Sequence, residues 1–105
     1  MASGLSVQNN QTLDRFELRV DDTLAGIADY QETAGERAFV HTEIYSGYEG
    51  HGYGSVLVRS ALDASRTEGY GVLPMCSMVQ HFIREHSEYQ TLVPYWARQQ
   101  FGLPL

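Results

Sequence analysis

The stretch SGYEGHGYGSVLVRSALDASRTEG, residues 46–69, decides the fold, because glycines at 47, 50, 52 and 54 run directly into a helical repeat. Leu57, Val58, Ala61 and Leu62 recur at helical spacing while Arg59, Ser60, Asp63 and Arg66 fall on the other side, which predicts an amphipathic helix over 55–68. Gly69 stands where a left-handed C-terminal cap belongs. A glycine loop that opens such a helix has two readings. Either its backbone N–H groups hold an anion at the helix N-terminus, or it is a connection chosen for tight turning. The dinucleotide form is excluded: it needs GxGxxG after the first strand, whereas here the spacing is GxGxG and three strand-like segments come first. The nucleotide-triphosphate loop is excluded too, since Gly47 and Gly52 have its spacing but Tyr53 takes the place of its lysine.

Working outward from the loop, RFELRV (15–20) alternates with Phe16, Leu18 and Val20 on one side, and Asp21 and Asp22 follow as turn residues. LAGIADYQ resumes strand character, ETAGE breaks it, and RAFVHTEIY supplies a third strand with Phe39 and Val40 at its centre. Beyond the helix, YGVLPMC reads as a short buried strand. SMVQHFIREH reads as a second helix, with Ser77 and Gln80 at capping-box spacing and Met78, Val79, Phe82 and Ile83 as its apolar stripe. The order β-β-β-α-β-α defines an α/β (α+β) domain, a mostly antiparallel sheet with helices packed on it. Residues 1–13 read as a flexible leader, 14–93 as the folded domain, and 94–105 as a tail that is either loosely packed or a partner-binding segment carrying Tyr95 and Trp96.

Composition narrows the chemistry. The 105 residues suit one domain, and 43% of them are hydrophobic, which is enough for a compact core. All seven basic residues are arginine, so Schiff-base chemistry on a lysine is excluded, and the net charge of −6 disfavours nucleic acid. A single cysteine and four scattered histidines give no metal-ligand spacing. No apolar run reaches membrane-spanning length and the N-terminus lacks the pattern of a secretory signal, so the expectation is a cytoplasmic protein with no membrane partner.

Four ordered motifs then carry a resemblance: HTE at 41–43, EGHGYG at 49–54, PMC at 74–76 and REHSEY at 84–89. Together they resemble the GNAT superfamily of N-acetyltransferases, in particular its minimal short-chain (YjdJ-like) branch, over residues 14–93. The resemblance implies a minimal GNAT fold, acetyl-CoA as cofactor and a primary amine, small or on a protein, as acceptor; the alternative is a non-catalytic acyl-CoA-binding or interaction module. It implies that Ile44, Gly50, His51, Gly52, Tyr53, Gly54 and Ser55 hold the cofactor. Glu49 stands where Arg or Gln is usual in the superfamily, which leaves the pyrophosphate to backbone donors.

Acetyl transfer needs a neutral amine, a polarised carbonyl and a proton for the leaving thiolate. His41 or Glu43, on one side of the third strand, is the candidate base. Cys76, before a helix whose dipole favours a thiolate, is either a covalent acyl carrier or a small packing residue. Tyr89 is either a proton donor or a packing residue. His81 and His86, five apart on the second helix, do not share a face and receive no role. Sequence leaves the oligomeric state open.

Overall fold

A computed structural model describes residues 4–105. The chain forms β1 (Leu5–Asn10), β2 (Arg15–Val20), β3 (Thr23–Thr33), β4 (Glu36–Ile44), α1 (Tyr53–Thr67), β5 (Gly71–Pro74) and α2 (Ser77–Glu85). A 3-10 segment (Ser87–Leu92) and one helical turn, α3 (Tyr95–Arg98), follow. The strands lie in sequence order in one sheet, antiparallel except for the β4–β5 pair. Turn chemistry sets the register. Asp21 and Asp22 both have positive φ, as do Ala34 and Gly35, so each two-residue link takes the primed geometry that matches strand twist.

Phe16, Leu18, Ala28, Tyr30 and Phe39 form one side of the core, and Leu57, Val58, Leu62, Val79 and Ile83 from the two helices close over it. Burying an aliphatic side chain of this kind contributes about 1.5–3 kcal/mol, so these few residues dominate the fold's stability. α1 ends as its sequence predicts: Tyr70 N–H bonds to Ser65 O and Gly69 N–H to Arg66 O, with Gly69 left-handed at φ 83. Arg37 is buried at 1% exposure beneath Tyr30 and Tyr70, and its guanidinium donates to Glu32, Glu68 and Ser65.

Three expectations need correction. Residues 5–10 of the supposed leader are an edge strand paired along β2, because their backbone completes the sheet although their side chains bury little; residues 1–3 lie outside the described residues. The tail is not separate: Ala97, Phe101 and Leu103 are buried in the core, while Tyr95 and Trp96 face solvent. Ser77 does not cap α2. Cys76 takes the N-cap position, held extended by its N–H bond to Phe39 O and making no side-chain cap bond, and the Gln80 side chain turns to Pro74 O.

Among the described residues no helix is long and apolar enough to cross a membrane.

Candidate functional site

The site begins where β4 and β5 part. They pair from Glu36–Gly71 to Phe39–Pro74, and there the ladder stops, since Met75 N–H turns back to Leu73 O and Cys76 N–H takes Phe39 O as the chain leaves the sheet. β4 also bulges at this point: Phe39 faces Tyr30 and His41 faces Asp29, leaving Val40 unpaired and 39% exposed rather than at a buried strand centre. Past the bulge Tyr45 N–H is bonded to Ala25 O, so by strand alternation the N–H and C=O groups of Thr42 and Ile44 point to the edge that β5 has left.

The bulge also sorts the candidate residues between the two faces of the sheet. Thr42 lies opposite Ala28, which lies opposite Phe16, so Thr42 shares the helix-covered face. There its Oγ1 is 3.1 Å from Cys76 Sγ. His41 and Glu43 lie on the other face, in register with Asp29 and Ile27. His41 Nε2 is 3.2 Å from Glu43 Oε1, and both side chains are about half exposed. A carboxylate only accepts, so this contact places a proton on Nε2 and leaves the Nδ1 lone pair of the neutral ring free.

Two cavities flank the start of α1. One, of about 410 Å³, is lined by Thr42, Glu43, Ile44, Tyr48, Glu49 and Gly50 and by the first residues of the helix. The other, of about 460 Å³, runs between α1 and α2 past Ser55, Val58, His81, Phe82, Glu85 and His86. They meet at Gly52, Gly54 and Met78. Gly52 caps α1, and the first intrahelical bond there is Val56 N–H to Gly52 O, so the N–H groups of Tyr53, Gly54 and Ser55 have no helical partner. No acidic side chain occupies that first turn. The arrangement presents three donors and the positive end of the helix dipole to an anion.

The glycines serve different ends. Gly50 and Gly52 have φ of 82 and 78, and an added Cβ would meet nothing, so they are required by conformation and not by a close neighbour. Gly54 is helical, and a Cβ there would come within 3.3 Å of Met78 Sδ, so it lets α2 and the floor of the site approach α1.

Of the seven residues expected to hold a cofactor, Ile44, Gly50, Gly52, Tyr53, Gly54 and Ser55 line these cavities. His51 lines neither and is exposed, its ring stacked on Tyr53 at 5.2 Å. Glu43 lines the smaller cavity, whereas His41 and Cys76 stand beside it and touch its walls through Glu43 and Thr42. Tyr89 lines neither cavity. Its hydroxyl donates to Asp63 Oδ1 at 2.7 Å and accepts from Arg59, locking the chain after α2 onto α1, and burial, with the Asp63 charge, raises its pKa. His81 and His86, given no role from their spacing, both face the larger cavity. Met78, which divides the cavities, reads in sequence as an ordinary stripe residue.

A mixed sheet whose two parallel strands part beside a glycine-capped helix start is the arrangement that the resemblance implied. Residues 15–92 match the model of the GCN5-related N-acetyl-transferase family, and the chain belongs to that family. The fold agrees with the solution structure of a GCN5-like protein from Staphylococcus aureus, with a TM-score of 0.67 and 18% identity over 89% of this chain and 91% of that one. No curated protein matches the chain by sequence.

Proposed function

We propose that the protein transfers an acetyl group from acetyl-CoA to a primary amine. The observation that carries this reading is the continuity between the unpartnered N–H groups of Tyr53–Ser55 and the open edge of β4 at Thr42 and Ile44. The residues fit the cofactor: three backbone donors suit a pyrophosphate, and an unpaired strand edge suits an amide-bearing arm. When bound, acetyl-CoA supplies an activated thioester.

The remaining work falls to the chain. Thr42 and Ile44 orient the acyl arm through backbone groups. His41, held by Glu43, takes the proton of the incoming ammonium at Nδ1, because a lysine-like amine with a pKa of about 10.4 is otherwise charged near neutrality. The acceptor approaches from the uncovered face of the sheet, where Glu43 and Asp29 attract a cation, and the overall charge of −6 has the same sense. Cys76, on the helix side with its sulfur 3.1 Å from Thr42 Oγ1, does not meet the amine, and the departing thiolate takes its proton from solvent.

The test is release of free thiol from acetyl-CoA across a panel of polyamines and basic peptides. His41→Ala is expected to lower turnover about 100-fold, the scale of a lost general base, while Cys76→Ala retains most of it. Abolition of turnover by Cys76→Ala would favour a covalent route. CoA binding without turnover on any amine would favour a binding module.

A further inference from the structure

We infer that the acceptor is an extended protein segment whose reactive lysine has a bulky apolar residue two positions away, and that Val40 and Met75 form the shelf that reads this residue. The inference rests on the acetyl-transfer reading, whose base it adjoins, and names the acceptor class which that reading leaves open. Val40 and Met75 are 39% and 52% exposed, and neither has a part in the chemistry described above. Val40 is the unpaired residue of the β4 bulge. Phe39 before it is wholly buried and His41 after it lies on the uncovered face, so the exposed Val40 goes with His41. Pro74 pairs with Phe39 and Cys76 N–H bonds to Phe39 O, which holds Met75, between them, at the same point of β4. Pro74 is buried and Cys76 turns its sulfur to Thr42, both on the helix-covered side, so the exposed Met75 stands on the other. The bulge thereby brings two exposed apolar side chains beside the proposed base.

Charge on this face selects the occupant. Arg15 and Arg19 are both committed to Glu17, at 2.8 and 3.1 Å. Among the described residues Glu43 is paired only with His41, and Asp29, opposite His41, makes no ion pair. An apolar shelf bordered by these carboxylates complements a cation with an apolar neighbour, and an acidic partner does not suit it. Small amines are held in concave pockets, and neither of the two cavities reaches Val40, His41 or Met75. A strip of open sheet suits an extended chain instead. Met75 is about 6 Å from His41, one Cα step along β4 and one strand spacing across. An extended chain sets alternate side chains on one side, roughly 6.6 Å apart. A lysine that reaches His41 Nδ1 therefore lays the side chain two positions away over Val40 and Met75, while the adjacent residue points away from the sheet.

The test is steady-state acetylation of end-blocked peptides that carry one lysine with a leucine two positions away, with a leucine at the next position, or with glycine throughout. The first is expected to exceed the other two about tenfold in kcat/KM, the lower end of what one apolar side chain gains on leaving water, with the difference in KM and not in kcat. Val40→Ser and Met75→Ser should each reduce that preference, and the double variant abolish it, with CoA affinity and the kcat/KM of the all-glycine peptide unchanged. Equal kcat/KM for the three peptides, or a preference that persists in the double variant, overturns the inference while the acetyl-transfer reading stands. Phenylethylamine acetylated faster than the best peptide gives the shelf to a small amine and overturns the choice of a protein segment. Acetylation of no amine overturns the inference together with the transfer reading.

Discussion

Gly54→Ala is expected to stabilise the fold and weaken CoA binding at once. Gly54 is the second residue of α1 and has no positive φ, so alanine gains part of the roughly 1 kcal/mol that separates it from glycine in a helix. Against this, the new methyl sits 3.3 Å from Met78 Sδ and 3.8 Å from Ile44 Cγ1. Met78 is 36% exposed, and its unbranched side chain can yield the few tenths of an ångström required at small cost. The net effect is a gain of about 0.5 kcal/mol, or about 2–4 °C in Tm for a domain of this size. The same methyl and the displaced Met78 occupy the junction of the two cavities, so CoA affinity should fall about tenfold, 1.4 kcal/mol. Gly52→Ala is the internal control: its Cβ meets nothing, yet φ 78 makes the substitution cost about 1–2 kcal/mol and lowers Tm. Thermal melts and calorimetry on the pair decide the matter. A drop in Tm for Gly54→Ala as large as that for Gly52→Ala would refute the packing argument, and unchanged CoA affinity would refute the placing of the ligand over the start of α1.

Glu43→Gln should lower turnover less than His41→Ala, because the amide still accepts from Nε2–H; equal losses would assign the base to Glu43. Tyr89→Phe removes a hydrogen bond to a carboxylate and should cost about 1–1.5 kcal/mol in urea unfolding with no change in CoA affinity, as expected of a residue outside both cavities. Burial opposes the ionised form of Glu17, yet hydrogen bonds from Arg15, Asn10 and Arg19 outweigh it, so its pKa is lowered from 4.5. The stability this confers is present above the unfolded pKa and is lost as pH falls through the folded value. Glu17→Gln should therefore flatten the acid limb of the stability profile, and an unaltered limb would contradict the assignment. Tyr30, Tyr70 and Tyr89 have raised pKa values, burial being the main cause for Tyr30 and Tyr89 and the Glu32 hydrogen bond for Tyr70. Each contributes stability that is full below pH 10 and declines above it, which an alkaline urea series would detect.

The features legible in sequence are those with strong local chemistry. The Asp21–Asp22 turn, the Leu57–Val58–Ala61–Leu62 stripe and the Gly69 cap each follow from one residue type in one required conformation. What escaped depends on distant partners. β1 has no buried side chain to produce a period-2 signal, because an edge strand is held chiefly by its backbone. Phe101 and Leu103 sit in irregular chain, where periodicity carries no information. The bulge at Val40 fixes which face His41 and Glu43 occupy, and it arises from how β4 must serve β3 and β5 at once. The position of His86 has a plainer reason. The angle between positions five apart holds only inside a helix, and His86 lies just past the end of α2.

The glycine loop reads in sequence as an anion site or a turn, and left-handed turns at Gly50 and Gly52 deliver the free N–H groups at the start of α1 on which the proposed cofactor site rests. The most direct measurement is a residue-resolved ¹⁵N NMR titration of the wild-type protein with acetyl-CoA. The account predicts saturable shifts concentrated in the amides of Gly52–Val56 and of Thr42–Ile44, with little change along β1 and β2. Absence of saturable shifts at millimolar acetyl-CoA, or shifts centred away from the start of α1, would contradict it.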